Sequence, residues 1–320
     1  MNVRPRVEKS YFFNKMKAVV YHKYGPPEVL QRVEIEKPVP KDNEILVKVH
    51  ATSVTSGDVR LRSSDFPPLF WLPARLIFGL FKPKRKILGH EFAGVVETKG
   101  NKVTQFQIGD AVFGTTTLLR EGAYSEYVCI PETWKNGVVA RKPTNLNFNT
   151  AAVLPIGAMT ALFLLEKSDV QSGQNILVYG ASGSVGSYTV QIAKSMGLEV
   201  TAVCSGGNIE MVKSLGADHT VDYTQQDYSA LDQKYDVVFD AVGKTTKQKA
   251  KKVLRPKGAF VTVKMLTKEK TTHLKHIKTL AEDQKIIPFI DRSFPLEDLV
   301  EAHRYVDSGR KKGNVVITVV

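Results

Sequence analysis

The chain of 320 residues is long enough for a large buried core and two domains, and its 42% hydrophobic and 24% charged residues argue against disorder. Its two cysteines, Cys129 and Cys204, lie far apart without C-x-x-C spacing, which excludes a thiolate metal cluster and points to a reducing, cytoplasmic setting. The formal charge of +13 gathers at Lys82 to Lys86, between Lys244 and Lys285, and at Arg310-Lys311-Lys312; with no base-reading or stacking motif beside it, we read it as drawing in an anionic cofactor rather than nucleic acid.

Met1 to Asn14 mixes arginines with Glu8 and lacks a signal-peptide core, so it reads as a disordered arm or short extension. No stretch reaches the roughly 18 apolar residues of a membrane span. Short strands follow at Met16–Tyr21, Leu30–Ile35, Glu44–Ala51, Ile87–Glu97, Ile108–Phe113 and Ala123–Ile130, punctuated by Gly and Pro. They indicate a β-rich first domain. Phe66–Phe81 interrupts them with an apolar, aromatic segment closed by Lys82-Pro83-Lys84-Arg85-Lys86. A lid helix packed on its own domain, an apolar wall for a substrate pocket, and an interfacial anchor with a basic collar all stay open.

From Asn149 the pattern changes to alternating helix and strand. Ala151–Lys167 reads as a helix, and Ile176–Tyr179 as a strand buried on both faces of a parallel sheet. Gly180, Gly183 and Gly186 then form a G-x-x-G-x-x-G turn, followed by a helix stopped at Gly197 and a strand at Glu199–Cys204. This strand–glycine turn–helix–strand unit is the form of a dinucleotide site, with helix-start amides directed at the pyrophosphate. Further strands at Thr220–Tyr223, Asp236–Asp240 and Ala259–Val263, with helices at Ile209–Leu215, Thr245–Leu254 and Leu274–Asp283, predict an α/β, doubly wound parallel sheet. A helix at Leu296–Val306 and a strand at Asn314–Val320 end the chain.

Ordered matches at Met16–Val19, Gly25–Leu30, Gly89-His90-Glu91-Phe92-Ala93-Gly94, Gly109–Val112, Gly122–Tyr127, Gly180–Gly186, Gly216–Asp218, Asp240–Gly243 and Gly309–Val316 cover nearly the whole sequence. Through them the chain resembles the medium-chain dehydrogenase/reductases, specifically the zinc-free quinone oxidoreductase, or zeta-crystallin-like, branch. The resemblance implies a Rossmann domain, residues 146–287, inserted in a GroES-like β-rich domain made of residues 1–145 and 288–320. Zinc members of that superfamily use a Cys, a His and a further Cys or acid. Here Thr55 stands at the first position, His90 and Glu91 at the second, and Leu154-Pro155-Ile156-Gly157 supplies no third ligand, so no metal is expected.

Without a Lewis acid, the resemblance implies a zinc-independent oxidoreductase passing hydride from NADPH to a quinone or an α,β-unsaturated carbonyl. Its active-site loop matches Thr55, Ser56 and Asp58, and no proton donor is named. The pyrophosphate falls to Gly180, Ser182, Gly183, Ser184, Val185 and Gly186, and the ribose and nicotinamide to Thr160, Ala241, Val242 and Val263. NADPH is preferred over NADH because no acid follows Glu199–Cys204, where NAD enzymes place one. Ser205 and Tyr223 match the family's phosphate ligands, Asn208 replaces its lysine, and Lys213 is the substitute cation. After Val263 only Lys264–Thr272 precedes the next helix, too little for the family's extra helix and strand. A dimer by sheet extension is therefore not expected unchanged, and homo-oligomer and monomer both stay open. The rivals are a non-catalytic cofactor- or nucleic-acid-binding member of the family and a zinc-type alcohol dehydrogenase.

Overall fold

The computed structural model describes residues 15–66 and 68–320; the arm expected over Met1–Asn14 lies outside the described residues. In chain order the elements are β1 (Lys15–Val20), β2 (Gln31–Glu36), β3 (Glu44–Ser53), α1 (Ser56–Ser63), α2 (Pro68–Phe78), β4 (Glu91–Lys99), β5 (Ala111–Thr115), β6 (Tyr127–Pro131) and β7 (Val139–Arg141). Next come α3 (Phe148–Ala152), α4 (Pro155–Lys167), β8 (Asn175–Tyr179), α5 (Ser184–Ser195), β9 (Glu199–Cys204), α6 (Ile209–Ser214), β10 (His219–Asp222) and β11 (Tyr235–Asp240). The chain closes with α7 (Lys247–Lys251), β12 (Leu254–Thr262), α8 (Thr271–Glu282), β13 (Ile290–Pro295), α9 (Leu299–Asp307) and β14 (Asn314–Thr318).

Five parallel strands form one sheet among the described residues, in the order β10-β9-β8-β11-β12. Strand alternation decides which helices cover it. Ile176 and Val178 of β8 face the cluster that includes Tyr188, Val190 and Ile192 of α5 and Leu274 and Ile277 of α8. Leu177, between them, faces the opposite cluster with Ala250 of α7 and Val253. Apolar side chains on both faces require helices on both sides, as the near-continuous Ile176–Val178 run foretold. The second sheet is mixed. β3, β4, β5 and β7 are antiparallel, and β14 from the far end of the chain pairs with β3 and brings β13 with it.

The expected Rossmann sheet within a GroES-like β-rich surround is therefore what the chain builds. One core cluster runs through both sheets, joining Ala51, Phe113 and Val316 to Leu154, Ala158 and Val178. Several boundaries differ from expectation, three of them for clear local reasons. The helix expected over Ala151–Lys167 is two helices, because Pro155 opens α4 in its first turn and no residue can continue α3 through it. The strand expected from Ile87 starts at Glu91, since Gly89 turns the chain at φ +96°. The helix expected over Thr245–Leu254 shrinks to α7, capped by Thr246, and Leu254 opens β12.

Candidate active site

The glycine turn brings helix and strand close together. Gly180 has φ +80°, and a Cβ at Gly186 would lie 2.2 Å from the Gly180 carbonyl oxygen, so α5 can start this close to β8 only without a side chain there. Gly183 caps α5 without a side-chain bond, leaving first-turn amides and the positive helix end for an anion. The C-terminal chain braces this turn: Gly313 N–H donates to the Ser182 carbonyl at 2.7 Å, and Ser184 Oγ donates to Asn314 Oδ1 at 2.6 Å. Asn208 Nδ2 donates to Ser182 Oγ and Ser205 Oγ at 3.0 and 3.1 Å. Asn208 thus organises the turn instead of supplying a charge.

At the carboxyl ends of β8, β10 and β11 a cavity of about 410 Å³ is lined by Tyr179, Tyr223, Tyr228, Lys244 and Lys249, the place where an open α/β sheet takes a ligand. Tyr223 is brought beside Ser205 by its N–H bond to the Cys204 carbonyl at 3.0 Å. Lys213 is on exposed α6, where its ammonium pairs with Glu210 at 3.5 Å. Lys312, from the basic Arg310–Lys312 run, reaches the Gly206–Asn208 turn, with Nζ 3.5 Å from the Gly207 carbonyl. An acid also arrives from the neighbouring strand. Asp222 accepts from Thr224 N–H at 2.9 Å and Thr224 Oγ1 at 2.8 Å, and a Cβ on Gly206 would lie 2.5 Å from its Oδ2. Its oxygens serve the turn. Ala241, Val242 and Val263 follow the ends of β11 and β12, tied by Ala241 N–H to the Tyr179 carbonyl and Val263 N–H to the Asp240 carbonyl; Thr160 is half-buried on α4.

The loop before α1 is a capping box. Thr55 Oγ1 accepts from Asp58 N–H at 3.1 Å, and the Asp58 carboxylate accepts from Thr55 N–H at 3.0 Å. Fully buried Asp58 accepts further bonds at Oδ1 from Gly89 N–H at 2.9 Å and His90 Nδ1 at 2.7 Å. Desolvation alone would raise this carboxyl. The His90 charge and hydrogen bond, with that of Thr55, outweigh it and hold the group well below the usual carboxylate range. Asp58 is therefore a permanent anion that orients His90, with no oxygen left for a substrate.

Next to it, Glu91 is buried and accepts from Ser53 Oγ and, at 2.8 Å, from Ile156 N–H at the start of α4. Burial pushes its carboxyl up to about 7 despite those bonds. A cavity of about 120 Å³ brings Thr55, Ser56 and Glu91 together with Ile156, Ser184, Val185 and half-buried Lys311. The Thr55–Asp58 loop and the glycine turn thus meet in one space. Beside it, a cavity of about 250 Å³ is lined by Ile77, Phe78, Leu118, Leu119 and His90. With His90 Nδ1 committed to Asp58, Nε2 is the ring nitrogen left for another partner.

Sequence reasoning missed Glu269. Thr115 Oγ1 and Thr117 Oγ1, the latter at 2.6 Å, donate to its carboxylate, which burial raises. The Lys264–Thr272 run is thereby pinned to the end of β5; a single acid in a Lys/Thr-rich linker carries no such signal. Among the described residues, no three of His, Cys, Asp and Glu converge on a metal position. The oxygens of Asp58 and Glu91 are already committed to protein donors, so this donor set does not fit a zinc ion.

A family model described as "Alcohol dehydrogenase GroES-like domain" matches residues 41–143, and one described as "Zinc-binding dehydrogenase" matches residues 184–290. The chain is 33% identical to a 2-methylene-furan-3-one reductase of Solanum lycopersicum over 95% of this chain and 79% of that protein. It is 31% identical to an NADPH-dependent alkenal/one oxidoreductase, chloroplastic, of Arabidopsis thaliana, with the same two coverages of 95% and 79%. The solved structure of the quinone oxidoreductase from Coxiella burnetii superposes with a TM-score of 0.81 at 28% identity, over 96% of this chain and 100% of that one. With the glycine turn and the Thr55–Asp58 loop meeting in one cleft, these matches show that the chain belongs to the medium-chain dehydrogenase/reductases, in their zeta-crystallin-like branch of quinone and alkenal/one oxidoreductases, and is an oxidoreductase.

Proposed function

We propose that the protein is a zinc-independent, NADPH-dependent reductase of quinones or α,β-unsaturated carbonyls. The carrying observation is the cleft in which Ser184 and Val185 of the dinucleotide turn face Thr55 and Ser56, next to the apolar cavity walled by Ile77 and Phe78. We assign residues 146–287 to cofactor binding and 1–145 with 288–320 to the acceptor. When bound, the reduced nicotinamide supplies a hydride. The amides of Ser184–Gly186 hold the pyrophosphate, with Gly180, Ser182 and Gly183 shaping the turn. Ser205, Tyr223 and Lys312 take the 2′-phosphate, and Thr160, Ala241, Val242 and Val263 flank the ribose and nicotinamide.

The apolar cavity admits the acceptor and excludes water. Saturating a carbon–carbon double bond also consumes a proton. His90, oriented by Asp58 and lining the cavity, is the group placed to hold it. Both thiols are pushed up by burial, Cys129 to about 12 and Cys204 to about 11, so neither is a reactive nucleophile at neutral pH. A cytoplasmic setting is our reading of those free thiols; no helix among the described residues is long and apolar enough to cross a membrane. The test is oxidation of NADPH and of NADH against a panel of quinones and enals, with metal content measured on the same sample. Stoichiometric zinc, or a clear preference for NADH, would overturn the assignment.

A further inference from the structure

Helix α2 reverses the usual arrangement of a surface helix. Its inner side is held in place: Phe78 stacks on Phe66 with ring centroids 6.0 Å apart, and the Arg75 guanidinium lies 4.0 Å over the Tyr24 ring. Tyr24 Oη donates to the carbonyls of Phe78 and Gly79 at 3.1 and 2.8 Å, fixing the helix end. Its outer side, where a globular protein places polar residues, carries Leu72, Leu76 and Ile77, which are 53%, 58% and 59% exposed; Phe81, just beyond, is 88% exposed. Trp71 is also exposed. A contiguous apolar patch rimmed by polar groups marks an interaction surface. Here the rim is basic: Lys82, Lys84 and Lys86 are exposed, and no acid occurs from Phe66 to Leu88.

We propose that this face docks on an anionic lipid bilayer, with α2 lying in the plane of the interface. At 11 residues the helix is far too short to span, whereas an apolar face with tryptophan and a lysine collar suits the headgroup boundary. The charge argues for lipid over a second copy, since two such faces would oppose their own lysines on a chain of formal charge +13. The docking helix also walls the 250 Å³ cavity through Ile77 and Phe78. Resting on the reading of that cavity as the acceptor site, the favoured acceptors are lipid-dissolved: a quinone with an apolar tail, or an alkenal released from an acyl chain.

The test is sedimentation of the full chain, with neither cofactor nor acceptor, against vesicles of phosphatidylcholine alone or with phosphatidylserine. Binding is expected to need the anionic lipid, to weaken in high salt, and to fall about fivefold for each of Lys82→Gln and Lys86→Gln. Leu76→Glu with Phe81→Glu should lose at least about tenfold, and the milder Phe81→Ser a smaller part, so the patch is tested even if the double variant folds poorly. Brominated lipid should quench Trp71 in a Trp134→Phe background. The proposal fails if the wild-type chain ignores anionic vesicles, or if the α2 variants bind as the wild type does. It also fails if the chain self-associates without lipid through this face. The assay contains no redox partner, so its failure would leave the reductase reading standing, and inactivity with NADPH would leave the docking result standing.

Discussion

Asp58 is a buried carboxylate held entirely by protein donors. Its four accepted bonds come from Thr55 N–H, Thr55 Oγ1, Gly89 N–H and His90 Nδ1. An amide nitrogen at this place faces donors and can accept from none of them. Asp58→Asn is therefore expected to destabilise the fold by about 3 kcal/mol, measured by urea unfolding. His90→Asn is gentler, since the Asn amide can still donate to Asp58 while carrying no proton for transfer. It should keep the fold and lower kcat for an enal by about 10²- to 10⁴-fold, with loss of stereoselective deuterium uptake from D2O at the α-carbon. Unchanged stereochemistry would show that solvent supplies the proton directly.

Glu91 gives a pH signature of its own. Its folded-state carboxyl sits at about 7 against an ordinary 4.5, so the folded chain keeps a proton that the unfolded chain releases. The contribution is fully present below 4.5 and is lost as pH rises through about 7, an effect of about 3 kcal/mol. His303 runs the other way. Buried between Arg62 and Tyr124, it is pushed down to about 3 by desolvation, against Asp58 and with Arg62, so its stabilisation is present above 6.5 and fades as pH falls toward 3. Glu91→Gln mimics the protonated form, accepting from Ile156 N–H and donating to Ser53. The difference between variant and wild type isolates Glu91: the variant should gain relative stability between pH 5 and 8, by urea unfolding at each pH. A difference that does not change with pH would contradict the buried-acid assignment.

Among the elements, the β8–α5 turn was the most legible in the sequence, because glycine spacing, an apolar strand and a periodic helix all pointed one way. A methyl group at Gly186 would press on backbone at 2.2 and 2.7 Å, with no flexible neighbour to yield. Gly186→Ala should cost about 1–3 kcal/mol and weaken NADPH binding more than acceptor binding, read by thermal unfolding and isothermal titration. The apolar run from Phe66 was legible as an oddity, but its three readings could not be separated. Apolar content alone does not say which side of a helix faces inward. That was decided by Tyr24 and Arg75, whose partners lie far away in sequence.

Over the whole molecule, what local pattern could not reveal is long-range pairing. Lys311, Lys312, Gly313 and Asn314 read as a basic tail before a strand, yet β14 pairing with β3 carries them into the cleft beside Ser182 and Ser184. Glu269 likewise ties the short run after β12 to Thr115 of β5 and Thr117 just beyond it. Glu269→Ala should free that run, raising amide exchange in residues 264–270 by about tenfold, roughly one hydrogen bond's worth.

The central claim is hydride delivery from a bound nicotinamide to an activated double bond or quinone in the Thr55–His90 cleft. It is tested most directly by supplying NADPH deuterated at C4 with an enal and locating the label by mass spectrometry. One deuterium is expected at the β-carbon of the saturated product, with no zinc in the protein. With deuterium at both C4 positions, a product free of label, or label on the carbonyl carbon of an alcohol formed in a zinc-dependent reaction, would contradict it.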